Sequence, residues 1–521
     1  MPLARTSSVA LVGVTGHVVE VEVDIANGLV GMILVGLPDT ALREARDRIR
    51  AAITNSREKW PPRKITVGLS PASLPKRGSW FDLAIAVGVL TAAGTIPRAA
   101  SDGVMFFGEL GLDGRLRPVC GVLPAVAAAA ADGRFGTVMV AEQNAPEAAL
   151  VPGIRVIMAA SLIAATDWLR GTPGRRGGPP ATEFHADQDL PDRPAPGPNP
   201  ALVPDLAELL GQSMARRAAE ISAAGGHHLS LLGPPGAGKT MLAERIPTIL
   251  PRLDGNAALE VTSIHSVAGM LQPGSGLITE PPFCAPHHTA SMPAIVGGGS
   301  SGMIRPGAAS LAHRGFLFLD EAPEFRRDVL DALRQPLEAG EVIIARQATI
   351  TRFPARFALV LAANPCPCAK ASSGGEGCEC SPATRRRYLG RLSGPLLDRV
   401  DVKVRLHPVS RTQMLYGTSS ADSSAVVAHR VAQARDRAAS RLGSTPWRVN
   451  AEIPGAELRK SFSVRPKALA VLDRAMELGQ VSARGADKVI RVAWTMADLA
   501  GKPEPSAEEV HEALGLWMGT P

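Results

Sequence analysis

Along the first 170 residues, short Val/Ile-rich runs alternate with longer amphipathic stretches. His17–Ile25, Gly31–Val35, Lys64–Leu69, Val104–Phe107 and Thr137–Val140 have the strand-like pattern, and Thr40–Asn55, Phe81–Ala93 and Val122–Ala131 the helical one. That alternation predicts an α/β domain over residues 1–170. Between Gly171 and Pro200 Pro and Gly dominate and no apolar period survives, which predicts a linker. Beyond it, Leu229–Leu232, Gly315–Leu319 and Ala358–Ala362 are apolar throughout, as strands buried on both faces of a parallel sheet must be. They predict a second α/β domain over residues 201–410. Within the remaining stretch, 411–521, Ala468–Gly479, Ala483–Ala500 and Ser506–Trp517 repeat apolar residues every three or four positions, and Ser506 followed by Glu508 and Glu509 suits a helix start. A small helical domain is expected there.

Composition narrows the function classes. A chain of 521 residues with 45% apolar and 20% charged residues is globular and multidomain, at about 150 residues per domain. The excess of 56 Lys+Arg over 49 Asp+Glu, +7, permits a polyanionic partner without demanding one. Residues 1–16 lack the basic head and apolar run of a signal peptide, and no apolar run approaches the ~18 residues of a membrane span. A soluble, cytoplasmic protein is expected. Six cysteines in so long a chain form no disulfide framework, and four packed closely suggest metal.

The first chemical signal is GPPGAGKT, spanning Gly233, Pro234, Pro235, Gly236, Ala237, Gly238, Lys239 and Thr240, which leaves a strand and opens the helical MLAERI. Strand, loop, Lys-Thr and helix in that order describe a P-loop for ATP. Backbone N–H groups surround the phosphates, Lys239 reaches the β- and γ-phosphates, and Thr240 ligates Mg2+. Eighty residues on, the strand Gly315–Leu319 ends in Asp320 and Glu321. Asp320 can hold the magnesium shell and Glu321 can polarise the attacking water. The strand Phe357–Ala362 delivers Asn364 at its carboxyl end, a position suited to sensing the γ-phosphate.

With these motifs, APHHTAS (285–291), GGGS (297–300), FLFLDEAPEF (316–325), AANPCPC (362–368) and RLSGPLLDRVD (391–401) closely resemble the ComM/YifB family of magnesium-chelatase-like AAA+ ATPases. VEVDIANG (21–28), LVGLPDTALREARDRIRAAI (34–53) and GELGLDGRLRPVCGVLPA (108–125) resemble the Lon-protease-like domain that this family carries. The resemblance spans almost the whole chain. It implies a Lon-like α/β N-terminal domain, a P-loop AAA+ core with a doubly wound parallel sheet, and a small C-terminal helical lid. It further implies a homo-oligomeric ring, usually of six subunits, with ATP between neighbours. Arg399 then corresponds to an arginine finger, Arg484 to the lid sensor, and Arg391 to a second finger.

The Lon resemblance stops short of its chemistry. Trp80 stands where the nucleophilic serine would be, with Ser79 one position off, and Leu123 stands at or near the base lysine. Neither residue can serve as nucleophile or base. Residues 1–170 are therefore expected to be a non-peptidase scaffold that binds DNA or a neighbouring subunit.

Cys366, Cys368, Cys378 and Cys380 form two C-x-C pairs joined by a Gly/Ser-rich loop, a set that can converge on one Zn2+. Cys120 and Cys284 stand alone and are expected to be structural. Gly340–Ala345 and Ala348–Phe353 predict a β-hairpin around Arg346 and Gln347, of the kind this AAA+ branch directs into its central pore. Arg346 and Arg352 are the candidate DNA-phosphate contacts. The Gly-rich stretch Ala294–Ile304 is a second pore candidate, and His287 and His288 are expected to be structural or intersubunit residues. The tract Arg385–Arg405 holds seven basic against two acidic residues with Tyr388 interleaved, compatible with nucleic acid. The reading that follows is an ATP-driven DNA motor for helicase or branch-migration work in recombination or uptake of foreign DNA. The alternative is a chelatase-like motor that remodels a protein or inserts metal into a tetrapyrrole.

Overall fold

The computed structural model describes residues 3–36, 40–76, 78–176, 178–185, 204–299, 304–346, 349–368, 370, 378–409 and 421–519, without the side chains of 40–43, 346 and 349. Its N-terminal part is built on an eight-stranded mixed sheet in the order β10-β9-β8-β5-β1-β2-β4-β3. The strands are β1 (Leu3–Val12), β2 (Thr15–Ala26), β3 (Gly31–Val35), β4 (Lys64–Ser70), β5 (Val104–Phe106), β8 (Thr137–Ala141), β9 (Arg155–Ala159) and β10 (Thr182–Glu183). A two-rung hairpin, β6 (Glu109–Leu110) with β7 (Leu116–Arg117), lies beside it. On β2 the alternation in the sequence becomes two faces: Val19, Val21, Val23 and Ile25 are buried while Glu20, Glu22 and Asp24 are partly exposed. The helix Asp82–Ala92 is buried along its whole length against β1 and β2. Gly88 permits that approach, since a Cβ there would stand 2.8 Å from Val23 Cγ2.

β1 and β9 had no counterpart among the expected strands, and the linker is shorter than expected. Residues 181–184 belong to the sheet, with Ala181 and Phe184 buried in its core and β10 paired antiparallel with β9. Two apolar residues inside a Pro/Gly-rich tract were enough to add an edge strand. Residues 186–200 lie outside the described residues.

The second sheet has five strands, all parallel, in the order β12-β15-β18-β11-β19. They are β11 (Leu229–Leu232), β12 (Phe283–Cys284), β15 (Phe316–Leu319), β18 (Ala358–Ala363) and β19 (Val402–Arg405). Their side chains divide between two cores. Leu229, Leu231, Phe316, Phe318 and Val360 meet the helix Ser213–Gly225 and the C-terminal helices on one face, while Leu317, Leu319, Leu359 and Leu361 meet the helix Arg327–Ala332 on the other. The C-terminal helices Ser424–Leu442, Pro466–Glu477, Ala483–Ala500 and Ala507–Met518 therefore share a core with the nucleotide sheet. The short ladder β13 (Gly297–Gly298) with β14 (Arg305–Pro306) and the hairpin β16 (Glu341–Arg346) with β17 (Thr349–Pro354) complete the strands. Among the described residues no helix is long and apolar enough to cross a membrane.

The two sheets are joined by direct packing. Leu259 and Leu277 from the second unit pack onto the N-terminal core, and Glu147 accepts both the Leu123 N–H and the Ser266 hydroxyl. Trp80 and Leu123 are themselves buried in that core. Ser79 donates to Glu109. The β1–β2 turn meets β17, where a Cβ on Gly13 would come within 2.2 Å of the Arg352 carbonyl oxygen.

Two histidines open β11, His227 fully buried and His228 partly so. His227 shares a 2.7 Å hydrogen bond with Thr495, and the His228 imidazole accepts the Leu359 N–H at 3.0 Å. Burial, only partly opposed by the Asp401 carboxylate, lowers both from 6.5 to about 4. Between those values the unfolded chain binds more protons than the folded one, so stability is complete above pH 6.5 and declines as pH falls toward 4. The melting temperature followed by circular dichroism should drop across that window. His228→Asn, whose amide oxygen can still accept the Leu359 N–H, should flatten part of the drop.

Candidate functional site

The strand–loop–helix order of GPPGAGKT is present as β11, a turn and the helix Lys239–Arg245. Gly236 and Gly238 take φ values of +75° and +90°, which only glycine adopts without strain and which let the loop turn around a phosphate. The Lys239 ammonium is buried inside the loop, donating to the carbonyls of Gly233 at 2.7 Å and Pro234 at 3.0 Å and to Asn364 Oδ1 at 2.9 Å. Burial lowers its pKa, against the pull of the Asp320 and Glu321 carboxylates. Thr240 Oγ1 donates to Asp320 Oδ2 at 2.7 Å, so the two groups expected to share a magnesium ion already adjoin. A hydroxyl and a carboxylate are the oxygen donors that ion prefers.

Glu321 follows immediately. Its backbone has φ +49°, a left-handed conformation uncommon for a residue with a side chain, and its N–H is held by Asp320 Oδ1 at 2.8 Å. Its carboxylate lies 3.3 Å from His288 Nδ1. His288 was expected to be structural or intersubunit; instead it faces the candidate base within the same chain. The parallel pairing of β12 with β15 produces this contact, because the APHHTAS segment leaves β12 at the same sheet edge at which Asp320 and Glu321 leave β15. Long-range pairing of this kind left no signal in the sequence. Tyr388, expected among nucleic-acid contacts, is also reassigned: it is buried, with its phenol oxygen toward the Asn364 N–H and its pKa pushed up to about 12 by burial and by Glu324 and Glu321.

Part of the basic tract around Tyr388 is likewise engaged within the chain. Arg391 donates to Glu324 Oε2 at 3.0 Å and to the Pro323 carbonyl, and the Lys403 ammonium lies 4.6 Å from the centroid of the Trp517 ring. Arg386, Arg387 and Arg405 remain exposed, so the tract is braced only in part.

Arg399 and Arg484 are not at the P-loop. Arg399 is ion-paired with Glu338 and also donates to the Pro395 carbonyl, and its Nε is buried without a partner. Arg484 lies 3.4 Å from Asp398 and 3.9 Å from the same Glu338 oxygen. Both border a cleft of about 1080 Å³ whose lining includes Gly315, Ala358 and Asp401, residues at the amino ends of β15, β18 and β19. Lys239, Glu321 and Asn364 lie at the carboxyl ends. The four residues of β11, at about 3.3 Å each, separate the two edges by about 13 Å.

The four cysteines do converge. The sulfurs of Cys366, Cys368, Cys378 and Cys380 all lie within 4.8 Å of one another, close enough to hold one metal ion. Tetrahedral zinc with sulfur at about 2.3 Å would need the sulfurs about 3.8 Å apart, so the set fits with small adjustments. Cys284 is half-buried in β12, whereas Cys120, expected to be structural, is exposed. Of the two arginines named for DNA, Arg352 pairs with Glu341 across the hairpin and stands opposite Ile343, three rungs from the turn. Arg346 closes the ladder beside the tip, and its side chain lies outside the described ones. The Gly-rich stretch ends a short helix and supplies β13, which pairs with β14 just beyond it, and its residues 300–303 lie outside the described residues.

Three family models match in series: subunit ChlI of Mg-chelatase over residues 21–144, magnesium chelatase subunit ChlI over 205–414, and the ChlI C-terminal region over 421–516. Over 99% of this chain it is 40% identical to the competence protein ComM of Haemophilus influenzae, with 97% of that protein covered, and 38% identical to YifB of Escherichia coli. The chain belongs to the ComM/YifB family. An uncharacterized protein of Mycobacterium tuberculosis is 50% identical with 99% of each chain aligned. Family membership makes the chain a magnesium-chelatase-like AAA+ protein, with the parallel nucleotide sheet and the helical C-terminal region described above.

Proposed function

We propose that this ComM/YifB family member is a ring-forming, magnesium-dependent ATPase that moves DNA. The observation that carries the ring is the placement of Arg399 and Arg484 together on Glu338, a strand length from Lys239. In this reading Arg399 serves a nucleotide held by a neighbouring copy, which makes hydrolysis a property of the assembly, six subunits in the ring we propose. In this reading Gly233–Thr240 hold the phosphates and Thr240 and Asp320 hold Mg2+, whose charge offsets that of the phosphates. Glu321 takes a proton from the attacking water and Asn364 senses the γ-phosphate. Residues 1–170 form a platform without peptidase chemistry, 201–410 the motor and 411–521 the lid.

The DNA reading draws on the competence protein among the relatives and on the hairpin β16–β17, whose exposed Ile343 and Ile350 and whose Arg346 suit contact with a strand in a pore. A chelatase-like protein remodeller is the second reading, favoured by the descriptions of all three matching family models. Zn2+ is the metal we assign to the four cysteines, from their thiolate-only donor set. Cys366 stands two residues after Asn364, so an ion there would brace the sensor segment.

Lys239→Ala should abolish ATP binding, and Glu321→Gln should bind ATP with turnover reduced at least about 100-fold, measured by nucleotide retention and phosphate release. Subunits carrying Arg399→Ala should regain activity when mixed with Lys239→Ala subunits, since each supplies what the other lacks; rings with no regain would refute a finger acting between copies. Purified protein should contain about one zinc per chain by atomic emission, falling in proportion when Cys378 and Cys380 are changed to Ser. ATP hydrolysis should rise with single-stranded or four-way-junction DNA, steeply less so as salt increases, and Arg346→Ala should lose that stimulation. A parent protein that ignores every DNA would leave the remodelling alternative in the lead.

A further inference from the structure

The Lys488 side chain is nearly buried, on the helix Ala483–Ala500 of the lid. Its ammonium donates to Asp401 Oδ1 at 2.6 Å and to the backbone carbonyl of Arg399 at 2.7 Å. Asp401 is equally buried and also accepts the His228 N–H at 2.8 Å, at the start of the strand that leads into the P-loop. Burial alone would raise the Asp401 pKa, but Lys488 and the neighbouring imidazoles hold it far below the usual carboxylate range. One turn before Lys488, on the same helix face, Arg484 reaches Asp398. The lid helix thus grips residues 398–401 at three points, on both sides of Arg399 and on its own backbone.

A buried ion pair contributes little net stability compared with well-packed apolar residues, because two desolvated charges offset most of their own attraction. What it can provide is geometry: a fixed distance between two elements that share no covalent connection nearby. Here those elements are the lid and the segment that presents the arginine finger.

We propose that Lys488 is a positioning residue for Arg399, locking the finger to the lid so that a lid rotation carries the guanidinium toward or away from the neighbouring subunit's nucleotide. The proposal rests on the reading of Arg399 as a finger acting between copies. Through it, the nucleotide state that one subunit's lid senses sets the activity of the site next door. A shift of about 1 Å in a group that stabilises transition-state charge can cost about 100-fold in rate, so loss of this clamp registers in turnover rather than in ATP affinity.

Lys488→Met keeps the aliphatic stem but leaves the Asp401 carboxylate buried and unpaired, which can unfold the lid. The decisive variant is therefore Lys488→Met with Asp401→Asn, which removes both charges and lets the amide oxygen still accept the His228 N–H. In the full-length protein this pair should lower kcat for ATP at least about tenfold with KM changed by less than about twofold. The defect should be relieved by mixing with Lys239→Ala subunits, as for Arg399→Ala. A general folding defect would not be repaired by a neighbour's finger. Parental kcat in the double variant overturns the proposal. So does a defect that Lys239→Ala subunits fail to relieve under conditions in which they relieve Arg399→Ala. If neither variant is relieved, the finger reading itself fails and this proposal with it.

Discussion

Five parallel strands impose a polarity on which the remaining chemistry of this protein depends. Every loop that leaves a strand of the nucleotide sheet emerges at one edge, and every loop that enters one arrives at the other. Lys239, Glu321 and Asn364 follow β11, β15 and β18 and meet at the exit edge, where Lys239 bonds Asn364 directly. Arg399 precedes β19 and is confined to the entry edge. No side-chain rotation changes that, because a complete strand lies between. The sheet therefore keeps the phosphate-loop groups and Arg399 on opposite edges of one chain.

Buried polar groups at the entry edge tie several elements together by specific contacts. Asp401 joins the lid helix through Lys488 and the P-loop strand through the His228 backbone. His227 reaches Thr495 of the lid, and Asn450 and Arg441 continue the network through Asp498. In a low-dielectric interior such bonds are strong when satisfied and costly when broken. The lid is therefore attached to the core by specific geometry as well as by the shared apolar face. At the other side of the molecule, Glu147 and the packing of Leu259 and Leu277 tie the N-terminal sheet to the second unit, and the Gly13 turn abuts the backbone of the β16–β17 hairpin.

Much of this architecture was legible in the chain. The runs Leu229–Leu232 and Gly31–Val35 coincide with their strands, and the helix Ala483–Ala500 begins and ends at the residues its apolar period marks. Local rules suffice where one segment carries its own signal: a glycine-rich turn between strand and helix, a two-residue alternation, a Ser-Glu cap. Strands β1 and β19 were missed because they interleave Arg, Thr or Lys with apolar residues, and β9 because its apolar run Val156–Ala159 is only four residues long; all three take their identity from neighbours in the sheet. Cys120 gave no local sign of its exposure.

The sequence by itself determined the chemistry that lies within a few residues: a phosphate loop, the Asp320-Glu321 pair, Asn364 after its strand, and four thiols spaced to meet. Only the tertiary structure decided which distant groups share an environment. It set His288 against Glu321, turned Tyr388 inward to Asn364, neutralised Arg352 with Glu341, and gathered Arg399, Arg484 and Glu338 at the edge opposite the P-loop. The physical reason is that backbone dihedrals and side-chain periodicity act over one to four residues. Strand order and register, by contrast, are chosen by burial summed over the whole core and leave no mark at any single position.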